Sequence, residues 1–229
     1  VTSPLTVALD ASTHSGTVAL VCGAQVLAAC DVPMRNPGRE TLLPAVADLM
    51  QQSGTAIGDV ERIACGSGPG SFTGLRIAAS IAKALAIGAR AAIGEWIPFY
   101  GVSSLLLIVA GNEVAGRPGR YVAVLDALRG EVFTAAFEVG EQLDIVEIEP
   151  MSVQARADTH AYAARFGARL VGPEQPDRFA PHARGVARVQ SMLDAASPAD
   201  LASWEPDYGR AAEAQVRWEK AHGRPLRSR

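Results

Sequence analysis

A chain of 229 residues, 48% apolar and 20% charged, with 22 glycines and 14 prolines, is long enough to bury a core without disulfide or metal staples, and its composition excludes a disordered or fibrous protein. Its 21 basic and 24 acidic side chains leave a net charge of −3, which speaks against a stand-alone nucleic-acid binder. The three cysteines, Cys22, Cys30 and Cys65, include no C-x-x-C pair, which excludes a disulfide framework or a four-thiolate zinc site and fits a reducing compartment.

Residues 5–9 are a short apolar run closed by Asp10, residues 11–16 supply a polar turn, and residues 17–22 are a second apolar run. Gly23-Ala24 makes a tight break before 25–32, so three strands are expected to form an antiparallel meander. A loop over 33–38 leads to a helix in which Leu42, Leu43, Val46, Ala47, Leu49 and Met50 recur at helical spacing, with Gly54 as its stop. Residues 62–65 predict a buried strand, 66–74 a glycine-rich loop, and 75–87 a second helix closed near Gly88. Residues 91–94 read as a short strand and 103–110 as a helix capped by Ser103 or Ser104. The apolar stretch 75–94 is interrupted by Arg76, Lys83 and Arg90, so no bilayer span is expected, and nothing near Val1 resembles a secretion signal. The expected location is the cytoplasm.

After a linker over 111–119 the pattern begins again. A strand over 121–125 ends in Asp126, a turn follows at 127–130, and a strand runs over 131–139. Laid over residues 5–10, this is an internal repeat about 116 residues apart. The rest reads as a strand (143–148), a helix (157–166), a strand (168–171), a proline-punctuated loop (172–181), and helices over 184–196 and 211–221. Parallel strands joined through helices after a meander imply an α/β fold with mixed sheets.

Few residues offer chemistry. Asp10, Ser12 and Thr13 stand where a strand-end turn can hold a metal-bound water and phosphate oxygens, although Ala11 and His14 crowd that turn and the three are ordinary turn formers. Asp10 and Asp126 are candidates for facing carboxylates between the two repeats. The segment Gly68-Pro69-Gly70-Ser71-Phe72-Thr73-Gly74-Leu75-Arg76 precedes a helix like an anion site, but no Lys-Ser/Thr follows its last glycine, and no nucleophile-elbow spacing is present. Close approach of another backbone is the favoured reading of its glycines. Arg76, set in the first turn against the helix dipole, is expected to have a specific partner. The four histidines (His14, His160, His182 and His222) are dispersed and read as loop or surface residues, with no metal site. A basic tail carries Arg210, Arg217, Lys220, Arg224, Arg227 and Arg229, whose sharper reading is contact with RNA phosphates.

Four of these segments together resemble the TsaB (YeaZ) family, a bacterial subunit of the tRNA threonylcarbamoyladenosine machinery. They are residues 5–13, the signature 68–76, Gly101-Val102-Ser103-Ser104-Leu105, and Asp126-Ala127-Leu128-Arg129-Gly130-Glu131-Val132-Phe133; Pro206-Asp207-Tyr208-Gly209-Arg210 is similar to the family's C-terminal Pro-x-Tyr-x-Arg region. The resemblance implies the ASKHA fold (actin, sugar kinase, Hsp70; RNase H-like), with one lobe over 1–102 completed by a helix over 205–229 and a second lobe over 103–204. It implies a non-catalytic subunit that docks on a TsaD-like catalytic subunit and works through that complex with a TsaE-like ATPase and tRNA, with ATP and metal used by the partners and no cofactor of its own. Where TsaD-like proteins carry metal-binding histidines, this chain has Ser103-Ser104. The implied docking surface is the first two helices, with Leu42, Val46, Met50, Ala78, Ile81 and Leu85 as expected contacts, and the same surface would support a homodimer. Asn36-Pro37-Gly38-Arg39-Glu40 departs from the His-Ser segment common in the family. The competing readings are a catalytic ASKHA ATPase or phosphotransferase using Asp10 and Asp126, and a metallopeptidase-like protein.

Overall fold

The computed structural model describes residues 3–34, 40–113, 117–210 and 221–223. Residues 36–39 of the departing segment, all but the end of the helix expected over 211–221, and Arg217, Lys220, Arg224, Arg227 and Arg229 lie outside the described residues.

β1 (Leu5–Asp10), β2 (Ser15–Cys22) and β3 (Gln25–Pro33) form the expected meander. β1 also pairs in parallel with β4 (Arg62–Gly68), which pairs in parallel with β5 (Phe99–Ser103), giving the order β3-β2-β1-β4-β5. Side chains alternate across this sheet. Val7, Leu9, Val18, Leu20, Ile63 and Phe99 meet α1 (Leu42–Gln52) and α2 (Phe72–Ile93) on one face. The opposite face is built from the smaller Ala8, Ala19 and Ala64, which leaves room for α3 (Ser104–Ala110), buried along its whole length between the two sheets.

The second sheet repeats the first. β6 (Gly119–Asp126), β7 (Glu131–Val139) and β8 (Ile145–Ala155) form an antiparallel meander, and β9 (Arg169–Val171) pairs in parallel with β6, in the order β8-β7-β6-β9. The repeat expected from Asp10 and Asp126 therefore falls on equivalent strands, β1 and β6. Two related mixed sheets with flanking helices are the α/β arrangement of the ASKHA class. α4 (Thr159–Arg165) covers the outer face, with Tyr162 and Ala163 over Val122, Val124, Val132 and Ala136.

Two expectations about elements are corrected. α2 does not close near Gly88: it continues to Ile93, and the strand expected over 91–94 is its last turn, capped by Gly94 at φ +83° with its N–H on the Arg90 carbonyl. A mid-helix glycine costs about 1 kcal/mol relative to alanine, and burial of Ala86 and Ala89 on either side of Gly88 offsets it. By length and composition α2 would cross a membrane, but Ala78, Ala82, Ala86 and Ala89 bury one side of it in the first-sheet core. The helix expected over 184–196 is a 3₁₀ turn (Ala183–Arg188) followed by α5 (Gln190–Ala195). The chain then returns to the first sheet well before residue 205. Arg62 reaches Gln190 and Asp194, the Ala199 N–H donates to the Phe99 carbonyl at 2.8 Å, and Trp204 packs edge-on against Phe99 at 4.8 Å.

Of the two settings expected for the histidines, loop or surface, His182 takes the loop and is buried there. It caps the 3₁₀ turn by accepting the Arg184 N–H on Nδ1 at 3.1 Å, and the next residue, Ala183, donates its N–H to Thr17 Oγ1 on β2 at 2.9 Å. Burial, reinforced by the nearby Arg184 charge and opposed by Asp31, pushes the imidazole down to about 4. The unfolded chain therefore takes up a proton near pH 6.5 that the folded chain refuses until about pH 4. Stability should fall as pH drops through that window, and in His182→Asn, followed by urea midpoints at each pH, that part of the slope should vanish.

Candidate functional site

The signature segment is where three parts of the chain approach each other at backbone distance. A Cβ on Gly74 would stand 2.0 Å from the Ala11 carbonyl oxygen, on Gly70 2.3 Å from the Ser12 carbonyl, and on Gly68, at φ +94°, 2.1 Å from the Asp207 carbonyl. The Gly68-Pro69 bond is cis. Ser71 N–H donates to the Ser12 carbonyl and Asp207 N–H to the Ser67 carbonyl, each at 2.7 Å, and Ser71 Oγ caps α2 by accepting the Gly74 N–H. These contacts fill the loop with protein. Close backbone approach, not a phosphate cradle, is what its glycines permit.

Beneath the loop lies Asp10, fully buried. One carboxylate oxygen accepts the Ser12 N–H at 2.8 Å and the Ser12 hydroxyl at 2.6 Å; the other accepts the Ser104 hydroxyl at 2.6 Å. Ser104 Oγ in turn accepts the Gly68 N–H at 3.2 Å. Gly66 presses against the same group, since a Cβ there would be 2.0 Å from Asp10 Oδ2. Burial pushes the Asp10 carboxyl above the ordinary carboxylate range, while the hydrogen bonds from Ser104 and Ser12 pull it down. The expected cleft of Asp10, Ser12, Thr13 and Asp126 is thereby corrected. Asp10 and Ser12 are sealed, the Thr13 hydroxyl donates to the Ser15 carbonyl, and Asp126 sits exposed at the end of β6. There its Oδ1 accepts the Leu128 N–H at 3.0 Å and pairs with Arg156 at 2.6 Å. The two aspartates share no opening: Asp10 is tied to its own turn and to α3, and Asp126 to its own turn and Arg156.

Cys65 is fully buried and burial raises its thiol pKa, so it is held as the neutral form. Among the described residues, no group of three or more His, Cys, Asp or Glu is placed to hold a metal ion.

A groove of about 520 Å³ is open between α1 and the first turns of α2. Leu43, Ile77 and Ile81 give it an apolar floor, Phe72 an aromatic wall, and Arg76 and Glu40 a charged rim. Leu43 is 46% exposed and Phe72 39%, large for apolar side chains. The Arg76 guanidinium lies over the Phe72 ring at 5.4 Å, so Arg76 has the partner its position suggested. Glu40 caps α1 by accepting the Leu42 and Leu43 N–H groups. An apolar, aromatic floor with a charged rim is the anatomy of a protein-docking patch.

The expected contact residues need correcting. Leu42, Val46, Met50 and Ala78 are buried in the first-sheet core, and Leu85 packs against it half-buried; Ile81, also buried, reaches only the groove floor. They hold the helices to the sheet. The side chains presented outward are their neighbours Leu43, Phe72, Arg76 and Ile77, and of these only Phe72 and Arg76 were singled out from the sequence. Tyr208, which the sequence offers as the tyrosine of the Pro-x-Tyr-x-Arg segment, packs on Phe72 with ring centroids 4.5 Å apart and the rings tilted by 41°.

Comparison with known proteins adds a second line of information. Residues 37–177 match the sequence model of the family described as TsaD, tRNA N6-adenosine threonylcarbamoyltransferase. The tRNA threonylcarbamoyladenosine biosynthesis protein TsaB of Escherichia coli is 37% identical over 134 residues, covering 58% of this chain and 55% of that protein. The protein of the same name from Bacillus subtilis is 26% identical over 236 residues, covering 92% of this chain and 96% of the relative. The matched part spans about half the length of the Escherichia coli and Haemophilus influenzae relatives. The solved structure of YeaZ from Pseudomonas aeruginosa superposes with a TM-score of 0.71 at 24% identity, covering 90% of this chain and 99% of that one, which extends the likeness of fold through both sheets.

Proposed function

This chain belongs to the TsaD family of tRNA N6-adenosine threonylcarbamoyltransferases, among its TsaB (YeaZ) members, and from that premise we propose that it is a non-catalytic scaffold subunit for threonylcarbamoyl transfer to the adenosine 3′ to the anticodon of ANN-decoding tRNAs. It docks a TsaD-like catalytic subunit in the α1/α2 groove. Through that complex it serves a TsaE-like ATPase and tRNA in the cytoplasm, with ATP and metal held by the partners and a homodimer through the same face when the partner is absent. The observation that carries this reading is the sealed Asp10: the one carboxylate at the end of β1 has no opening to substrate, while the apolar groove nearby is exposed. The ATPase reading requires Asp10 to reach a nucleotide, and its burial argues against it.

The test is reconstitution of the modification from this chain, a TsaD-like protein, a TsaE-like ATPase, threonylcarbamoyl-adenylate, ATP and tRNA, with each component omitted in turn. Modification should require this chain, and the chain alone should not turn over ATP. Full modification without it, or ATP turnover by it alone that Asp10→Asn removes, would overturn the proposal.

A further inference from the structure

Residues 205–210 follow an unusual path. Trp204 lies on Phe99 and against the Gly101 backbone, where a Cβ would be 2.8 Å from the indole nitrogen. The chain then runs along the signature loop, bonded from Asp207 N–H to the Ser67 carbonyl at 2.7 Å. Tyr208 packs its ring, tilted by 41°, against Phe72. Gly209, at φ +67°, turns the chain against the Phe133 ring with room for no Cβ, the nearest ring carbon being 2.4 Å from where one would stand, and Asp207 Oδ1 accepts the Gly209 N–H at 2.8 Å. Arg210 finishes the path by pairing with Glu131 at the start of β7 and lying over Phe133 at 5.9 Å. Four consecutive residues thus touch the loop before α2, the first residue of α2, and the second sheet.

We propose that residues 207–210 are a strap through which the second sheet positions the Phe72 wall of the groove, with Tyr208 as the positioning residue and Arg210 as the anchor. The Phe72 ring is contacted by both Tyr208 and Arg76, and Phe72 is the aromatic residue that lines the groove. Release at Arg210 frees Tyr208, and a freed Tyr208 leaves Phe72 to rotate on an exposed first helical turn. Docking on Phe72 and Arg76 and anchoring on Glu131 then favour one another reciprocally. The positioning role rests on the groove being the docking site; the strap itself does not.

Hydrogen exchange on the full chain separates the two. The readout is the amides of Ser71, Gly74 and Leu75, which are hydrogen-bonded in the native loop and first turn. Arg210→Ala should speed their exchange by about twofold to fivefold and Tyr208→Ala by about twofold to tenfold, the ranges expected for removing one partly exposed ion pair and one ring contact. Tyr208→Phe, which keeps the ring, should leave it unchanged. Glu131→Gln cuts the anchor from the other end at an exposed position and should reproduce the Arg210→Ala result, so the inference does not depend on one variant folding well. Unchanged exchange at 71–75 in both anchor variants overturns the strap. In the same variants, affinity for a TsaD-like partner should fall by a similar factor and be kept in Tyr208→Phe; full affinity despite faster exchange overturns the positioning role. Failure of the groove itself is recognised separately, by a Leu43→Asp chain that still binds with full affinity.

Discussion

Gly74→Ala should cost about 3 kcal/mol, the upper end for overpacking a tight contact, and lower the melting temperature by roughly 6–12 °C for a chain of this size. The added methyl would meet the Ala11 carbonyl oxygen at 2.0 Å, and neither side can move easily. Gly74 lies in the first turn of a 22-residue helix whose buried face is locked into the first-sheet core, and Ala11 continues directly from β1, the middle strand of its sheet. The same methyl on Gly54 meets nothing within 4 Å; there only the φ of +66° opposes it, and a loss of about 1 kcal/mol is expected. Thermal melts of the two variants against the parent decide the matter. If Gly74→Ala melts like the parent, the signature loop is not the backbone junction described above.

Leu43→Asp and Val46→Asp should separate docking from folding. Leu43 is 46% exposed on the groove floor, so an aspartate there keeps its water and the fold should be unperturbed. Binding of a TsaD-like partner should weaken by about thirtyfold or more, the effect of losing one docking hot spot of 2 kcal/mol. Val46, one turn along the same helix, is 1% exposed and faces the sheet. An uncompensated charge there costs about 3–5 kcal/mol and should unfold or severely destabilise the chain. Circular dichroism and urea midpoints for both, with titration calorimetry against the partner for Leu43→Asp, give the contrast. Two equally stable variants would show that α1 does not face the sheet as described.

The same pair of residues marks the limit of what the sequence makes legible. Strands with a side-chain period of 2 and local turn residues at their ends, such as those closed by Asp10 and Asp126, declare themselves within six or eight residues, and the first meander and the β6–β7 pair fall where they are expected, whereas the strand expected over 143–148 runs on to Ala155. The glycines of the signature loop also announce a close approach. Which backbones approach them (Ala11, Ser12 and Asp207) depends on contacts from distant parts of the chain. On α1 the apolar residues Leu42 and Leu43 are adjacent, and only the packing of the helix on β2 turns one inward and the other into the groove. α2 is harder still, being small or apolar nearly all round, so nothing local distinguishes the buried Ala78 from Ile77 on the groove floor. His182 likewise reads as a loop residue, and its burial depends on the 3₁₀ turn that brings it between β2 and α3.

The seal on the first sheet has a consequence for how the chain leaves the ribosome. Thr17 on β2 receives the Ala183 N–H across 166 residues of sequence, and the Ser67 carbonyl waits for Asp207. At about 5–20 residues per second of synthesis, the meander and its two helices emerge many seconds before the segment that closes over them. During that interval Phe99 lacks Trp204 and Gly68 faces an empty space. The nascent first sheet is therefore a natural client for a chaperone that holds exposed apolar surface, and chains cut short before residue 183 should be cleared by proteolysis rather than accumulate as a stable half.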